Sequence, residues 1–415
     1  MIGGRLTSPE SATSMRIERI QLIYLSILFL LLVGVFALNW ISGGTITSPR
    51  NLAIDLASPP DSPQAWGVQY WIPTKYRALF RWIVQGTFAA FFSPTDAVGF
   101  YGVFVSWSFV FFYGAVVAFY YYLQVLGFSK KTAFIGGVLF LASPPVMLAY
   151  KYPVYTREDP LAYLLVTLGL IAVYKSKPVI LSLIATAAAW VRETTLILPL
   201  VYLLASKDSW RKRLAVCALP VAAVVGIRIM LRYAPYDPFE GSIYNFDVPL
   251  QSAAFIFCVF GVLWLPALFN LWQHRRDKRF PSEAWRFLVT TAPMAIILVV
   301  GTHIALARAR EIRISFLLFP WIIPLALDWF RAHSDRLKAW ARKPSYWFFS
   351  LSVFAVLSSI ILIGHVTNSE LMRDYLADFK NGYWLAIADV HLSATLAILL
   401  PVLFESRTRL VRLAR

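Results

Sequence analysis

The sequence predicts an all-α protein that crosses a membrane about twelve times, with a long first outer loop carrying its own surface amphipathic helix. Three observations predict this. Hydrophobic residues make up 59% of the 415 and the mean hydropathy is +0.62, values that exclude an ordinary soluble protein. Apolar runs such as 20–41, 345–366 and 384–404 are long enough to cross the ~30 Å of hydrocarbon in a bilayer. The net charge of +17 is also one-sided. With connectors placed alternately on the two faces, 1–19, 124–132, 175–178, 206–213, 273–286, 328–344 and 405–415 fall together. They hold 25 Lys and Arg against 8 Asp and Glu, the whole excess. That is the asymmetry of cytoplasmic loops. The basic balance therefore reports topology and contact with anionic lipid, and no nucleic-acid partner is expected. Cys217 and Cys258 both fall inside apolar runs and suggest neither a disulfide framework nor a metal cluster.

Taken in order, 1–19 reads as a cytoplasmic tail and 20–41 as a full-length first span, a signal anchor with no cleavable leader expected. The outer loop 42–97 opens rich in Gly, Ser and Pro and carries Asp55 and Asp61. Its second part, 74–92, reads as an amphipathic helix. Arg77, Arg81 and Gln85 form a polar stripe at i+4 spacing, with Leu79, Phe80, Ile83, Val84 and Phe91 away from it. Such a helix is expected to lie flat on the outer leaflet. Span two, 98–123, ends in a Tyr-rich run suited to an interface. Span three, 132–149, carries Pro144-Pro145, which should kink or end it. The connector YKYPVYTREDP places Lys151, Arg157, Glu158 and Asp159 at the mouth of span four, which starts at Pro160.

The stretch 179–205 has Arg192-Glu193 at its middle and basic connectors at both ends. It is too long for one span and too short for two, so two short helices meeting at Arg192-Glu193-Thr194 are expected. Charged residues at that depth are expensive and are functional candidates by default. Arg228 and Arg232 lie one turn apart near the end of span seven, 214–233. An outer loop and span eight, 254–272, follow. Span nine, 287–305, has His303 near its outer end. LARAREIR then sets Arg308, Arg310 and Arg313 around Glu311 before span ten, 314–327. Two further spans precede the basic tail 405–415. The organisation expected is thus a tail (1–19), a catalytic module (20–205), a C-terminal transmembrane module (206–404) and a second tail (405–415). No phosphate-cradling Gly loop, HExxH or GxSxG is present.

The charged groups gathered on the outer side suit one chemistry. A carboxylate can take a proton from a hydroxyl nucleophile, and forked, always-charged arginines can hold a phosphate leaving group. The layout resembles the GT-C superfamily of integral membrane glycosyltransferases. The resemblance is carried by Asp55 shortly after span one, by REDPLAYLLVTLGL after span three and by the short hairpin ATAAAWVRETTLILP. It covers roughly 20–205.

The resemblance implies a polyprenyl-phosphate sugar donor and a hydroxyl acceptor on a glycan, lipid or protein. It further implies inversion at the anomeric carbon with Asp55 as general base. Glu158 and Asp159 would hold the acceptor or a divalent cation, Mg2+ or Mn2+, with Asp55 and Asp159 as its ligands; some members need no metal. Arg157, Arg192, Arg308, Arg310 and Arg313 are the candidates for the donor phosphate. Asp61, Glu193, Arg228, Arg232, His303 and Glu311 complete the set. The expected setting is a monomer in a bacterial inner membrane, with the site on the periplasmic face and both termini cytoplasmic.

Each residue also has a plainer reading. Asp55 can be a turn-former, with Asp61 the base. Glu158 and Asp159 can simply cap a helix. Arg192 and Glu193 can pair with one another, the outer arginines can snorkel to lipid phosphates, and His303 can be a packed polar residue. Two rival functions fit the same charges: a transporter or flippase of a lipid-linked saccharide, and a lipid-sugar polymerase or ligase. Against the transporter, the second half offers no counterpart of the REDP or RET breaks. Against the polymerase or ligase, the large outer loop follows span one.

Overall fold

The computed structural model describes residues 9–41, 77–93, 96–149, 158–231, 239–277, 280, 282–307, 309, 311–366 and 387–397. All regular structure among them is helical. Two compact units form: 1–142, 146–202 and 206–233 make the first, and 143–145, 203–205 and 234–415 the second. Among the described residues six helical stretches are long and apolar enough to cross a membrane: Glu18–Leu38, Val98–Val125, Trp210–Met230, Pro249–Asp277, Glu283–Leu306 and Ser315–Ala332. Several shorter apolar helices accompany them.

Unit 1 is built from α1 (Pro9–Ile41), α2 (Ala78–Phe91), α3 (Ala97–Val125), α4 (Lys130–Ala142), α5 (Asp159–Tyr174), α6 (Pro178–Ala189), α7 (Ile197–Ala205) and α8 (Trp210–Met230). The α3 helix is central, packing against α5, α4, α2 and α1. Its aromatic run is only partly interfacial. Tyr120 and Tyr122 are wholly buried, while Tyr121 is exposed and accepts a hydrogen bond from Gln21 at 2.7 Å. The α4 helix ends at Ala142, ahead of the two prolines, which open a separate turn, Pro144–Met147.

The α2 helix forms where the pattern places it, but it is docked on protein. Its first turn donates Leu79 N–H to the Trp190 carbonyl at 3.2 Å, and Trp82 meets Trp190 edge to face. Phe80 packs against Phe104 and Phe111, and Trp107 Nε1 donates to Thr87 Oγ1 at 2.9 Å. The expected polar stripe is turned inward at Arg81, which is 8% exposed, whereas Phe91 is 77% exposed. An i+4 stripe specifies a face, and it leaves open whether water or other charges lie beneath it.

Unit 2 comprises α9 (Glu240–Asp247), α10 (Pro249–Phe260), α11 (Trp264–Asp277), α12 (Glu283–Leu306), α13 (Phe319–Ala332), α14 (Ser334–Ala341), α15 (Pro344–Val366) and α16 (Ile387–Ala397). Its core is α13, buried from Phe319 to Trp329. The α11 helix packs along it, with Asn270 Nδ2 donating to the Leu325 carbonyl at 2.8 Å. On α12, Thr291 receives a hydrogen bond from Trp321 Nε1 at 3.0 Å.

One span departs from expectation. The run read as a continuous eighth span is broken into α10 and α11 by a 3-10 turn, Gly261–Leu263. Gly261 sits at φ 49°, ψ −120°, a conformation open essentially to glycine alone, and a Cβ there would run into the His391 ring. A lone Gly inside an apolar run gives no sign of this from the sequence.

Candidate functional site

The charged groups of unit 1 come together from four separate segments. The α5 helix starts at Glu158-Asp159-Pro160, with Pro inside the first turn, where its missing N–H is no loss. Neither acidic residue is fully explained as a cap. Glu158 makes no side-chain capping bond. Its Oε1 instead accepts from Arg77 Nη1 at 2.6 Å, and Asp159 Oδ1 pairs with Arg192 Nη1. Asp159 and Arg192 are each 1% exposed.

Arg192 reaches this position because the chain breaks where α6 gives way to α7. The α6 helix ends at Ala189, Arg192 is fully extended (φ −164°, ψ 135°), and a 3-10 turn at Glu193–Leu196 leads into α7. The break is closed locally: Thr195 donates both its N–H and its hydroxyl to the Arg192 carbonyl, at 3.1 and 2.7 Å. Glu193 then points away from its neighbour. It accepts from Arg77 Nε at 3.4 Å and from Arg228 Nη2 at 3.3 Å. Arg192 and Glu193 therefore do not pair with one another. They are in three ion pairs with different partners, Arg192 with Asp159 and Glu193 with Arg77 and Arg228.

The result is a chain of alternating charge, Glu158–Arg77–Glu193–Arg228, beside the buried pair Asp159–Arg192. Three carboxylates face three guanidinium groups, and Arg81 lies one helical turn on from Arg77. In a region of low dielectric such alternation is what makes the charges tolerable. Because each arginine is already oriented, an anion arriving there would meet forked donors that need little reorganisation. Glu158 and Asp159, offered for a divalent cation, are each engaged by a guanidinium. Among the described residues no group of three His, Cys, Asp or Glu could hold a metal ion. Asp55, the other ligand expected for a cation, lies outside the described residues.

Unit 2 holds its polar groups differently. His303, fully buried near the end of α12, shares a hydrogen bond with Ser315 Oγ at 2.6 Å. That bond ties the end of α12 to Ser315 across the intervening loop. Asn245 on α9 reinforces that loop. Its amide donates to the carbonyls of Ile304 (2.9 Å) and Ala307 (2.6 Å), and its Oδ1 accepts from Ala309 N–H at 2.8 Å. On the loop itself, Arg313 pairs with Glu311 at 2.8 Å.

Of the residues expected at a site, Glu158, Asp159, Arg192, Glu193 and Arg228 are thus brought together in unit 1, and His303, Glu311 and Arg313 lie around one loop of unit 2. Asp55, Asp61, Arg157, Arg232, Arg308 and Arg310 lie outside the described residues. Arg77, Arg81, Asn245, Asp389 and His391 were missed as candidates. The signal for the last two was present: two ionisable residues inside the final apolar run. Asp389 is buried and hydrogen-bonded by Ser358 and, at 3.2 Å, by Ser393. His391 Nδ1 faces the Val262 N–H released by the α10–α11 break, at 3.4 Å. No protein family, curated protein or solved structure matches this chain. Any functional reading therefore rests on the sequence and the side chains themselves.

Proposed function

We propose that this protein is a membrane glycosyltransferase that moves a sugar from a polyprenyl-phosphate donor to a hydroxyl acceptor. The observation that carries the reading is the network Glu158–Arg77–Glu193–Arg228 with Asp159–Arg192, drawn from four segments into an otherwise apolar helical unit. Oriented guanidinium groups suit a phosphate leaving group whose charge grows as the bond to it breaks. The resemblance of 20–205 to the GT-C superfamily, carried by Asp55, REDPLAYLLVTLGL and ATAAAWVRETTLILP, supports the same reading. With it go about twelve spans and cytoplasmic termini, as hydropathy and charge asymmetry predict, and a monomer in a bacterial inner membrane with the outer loop facing the periplasm.

In this mechanism Asp55 takes the proton of the acceptor hydroxyl as its oxygen attacks the anomeric carbon. The bond from that carbon to the phosphate oxygen breaks, and polyprenyl phosphate leaves with the electron pair. Inversion follows from attack opposite the leaving group. Arg192, with Arg157, is assigned to the phosphate. Glu158 and Asp159 act as counter-ions that hold arginines in place, a different role from binding the acceptor or a metal.

The test uses purified full-length protein in nanodiscs and a panel of radiolabelled polyprenyl-phosphate sugars, with membrane extract as acceptor source. Release of sugar from lipid by the wild type, lost in Asp55→Asn with donor binding retained, is the expected result. Turnover unaffected by Asp55→Asn keeps the reaction and moves the base to Asp61.

A second reading, a transporter of lipid-linked saccharides, is favoured by one observation. The break at Gly261–Leu263, faced by His391, is an interrupted helix in the second half of the chain. Donor binding without turnover, together with movement of the saccharide across vesicles, would select it. Net chain extension of a lipid-linked glycan would select a polymerase or ligase.

A further inference from the structure

The charges of the unit 1 network are not all held alike. Asp159 and Arg192 are enclosed together, and the nearly buried Glu158 accepts from Arg77 Nη1 at 2.6 Å. Glu193 is the loose member. Its two bonds, from Arg77 Nε at 3.4 Å and Arg228 Nη2 at 3.3 Å, both exceed the roughly 2.7–2.9 Å usual for a guanidinium on a carboxylate. Its side chain is also the most open of the network at 26% exposed, with Arg228 next at 22%. Glu193 stands on a short 3-10 turn between α6 and α7, so a side-chain rotation is enough to withdraw the carboxylate.

Glu193 thus spans two guanidinium groups, one at the start of α2 and one in the last turn of α8, and bonds neither well. A phosphate carries more oxygens and can take forked bonds from both. Next to Glu193 in the chain, the Thr194 hydroxyl is buried and has no partner among the described residues. Such a donor costs free energy until an acceptor reaches it. The same two arginines adjoin an apolar cluster. Ala78, beside Arg77, and Ile227, beside Arg228, are buried together, with Trp190 and Leu231 packed against them. Trp82 meets Trp190 edge to face at 5.8 Å and is itself partly exposed.

We propose that Arg77 and Arg228 make the first contact with the phosphate of a polyprenyl phosphate, and that Glu193 is a stand-in anion which this phosphate displaces. Without ligand, Glu193 keeps both guanidinium groups paired in a region of low dielectric. With ligand, Glu193 turns outward, the phosphate bonds both arginines, and the first isoprene units lie along Trp190 and Trp82. Arg192 is enclosed with Asp159, so the phosphate meets Arg77 and Arg228 ahead of it. The inference rests on the reading of this network as a phosphate site, but it concerns binding alone and needs no turnover.

The test measures binding of farnesyl phosphate, a short polyprenyl phosphate, to the full-length protein in an uncharged detergent. Farnesol and inorganic phosphate serve as the two halves of the ligand, and each is expected to bind more weakly than the whole. Glu193→Gln keeps the shape of the side chain and removes the competing charge. It should tighten farnesyl phosphate by about tenfold and leave farnesol unchanged. Arg228→Gln should weaken farnesyl phosphate by about tenfold; where it fails to fold, Glu193→Gln decides alone. Binding that is unchanged or weaker in Glu193→Gln overturns the proposal, because a carboxylate that merely braces the arginines would give that result. Inorganic phosphate or farnesol binding as tightly as farnesyl phosphate overturns it too. Turnover of a polyprenyl-phosphate sugar, with binding unchanged in Glu193→Gln, removes this inference and leaves the glycosyltransferase. Tighter binding in Glu193→Gln, with no donor turned over, removes the glycosyltransferase and leaves this site.

Discussion

The two units solve one problem, holding polar groups in an apolar helical body, in opposite ways. Unit 1 sets charge against charge: Asp159 with Arg192, and Glu158 with Arg77, Glu193 and Arg228 in a row. Unit 2 holds its loop between α12 and α13 chiefly through hydrogen bonds, Asn245 bonding three backbone positions and Ser315 bonding His303, beside one local ion pair, Arg313–Glu311. A charge network is strong only while complete, because removal of one member strands its partner in low dielectric. An amide clamp degrades in steps of single hydrogen bonds. Unit 1 is therefore the brittle region, and the one whose charge can answer to a charged ligand.

The largest expected effect breaks that network at its most buried point. Arg192→Ala removes the guanidinium paired with the buried Asp159 and should destabilise by about 3–5 kcal/mol. The double substitution Arg192→Met with Asp159→Leu should recover most of that loss, because neither charge then remains to be solvated. Thermal unfolding of the single and double variants in one detergent gives the coupling energy directly. If the losses simply add, the pair is not the unit it looks to be.

In unit 2 the matching change is Asn245→Ala, which strands two carbonyls and one N–H. About 2–3 kcal/mol is expected from the buried groups left without a partner. Its effect should not vary with ionic strength, whereas the cost of Arg228→Ala in unit 1 should shrink in high salt. Parallel unfolding series at two salt concentrations compare the two regions. A smaller effect is expected at the α10–α11 break. Gly261→Ala forces a side chain into a left-handed conformation and displaces the His391 ring, a loss of about 1–2 kcal/mol. His391→Ala should relieve only the steric part, so the two substitutions are expected to couple in a double-mutant cycle.

What could be read from the sequence divides along physical lines. Hydropathy and length place most helices, because an apolar run long enough for a bilayer has few alternatives. The turn at Arg192-Glu193 could be read from two charges in a run too long for one helix. The pairings could not. Arg192 meets Asp159, far away in the chain, and nothing local to either residue prefers that partner over Glu193. The α2 helix shows the same limit, since its Arg77–Arg81–Gln85 stripe is identical whether it faces headgroups or the carboxylates of α5 and the α6–α7 turn.

The smallest effect tests whether an ion pair outside the buried network carries comparable weight. Asp208, in the connector between α7 and α8, accepts from Lys212 at 2.8 Å and from Tyr202 at 2.6 Å. The Lys212 ammonium, then the Tyr202 hydroxyl, hold its carboxyl down at about 2. A folded-state value below that of the unfolded chain, about 3.9, gives stability that is fully present above the unfolded value. It is lost as pH falls from there through about 2. Asp208→Asn should therefore lower stability slightly at neutral pH and converge with the wild type near pH 2. The connector is open to water, so this difference should be far smaller than that of Arg192→Ala. Unfolding of both proteins from neutral pH down to pH 2 checks it, and a loss at Asp208 as large as the loss at Arg192 would remove the distinction between a buried network and an exposed pair.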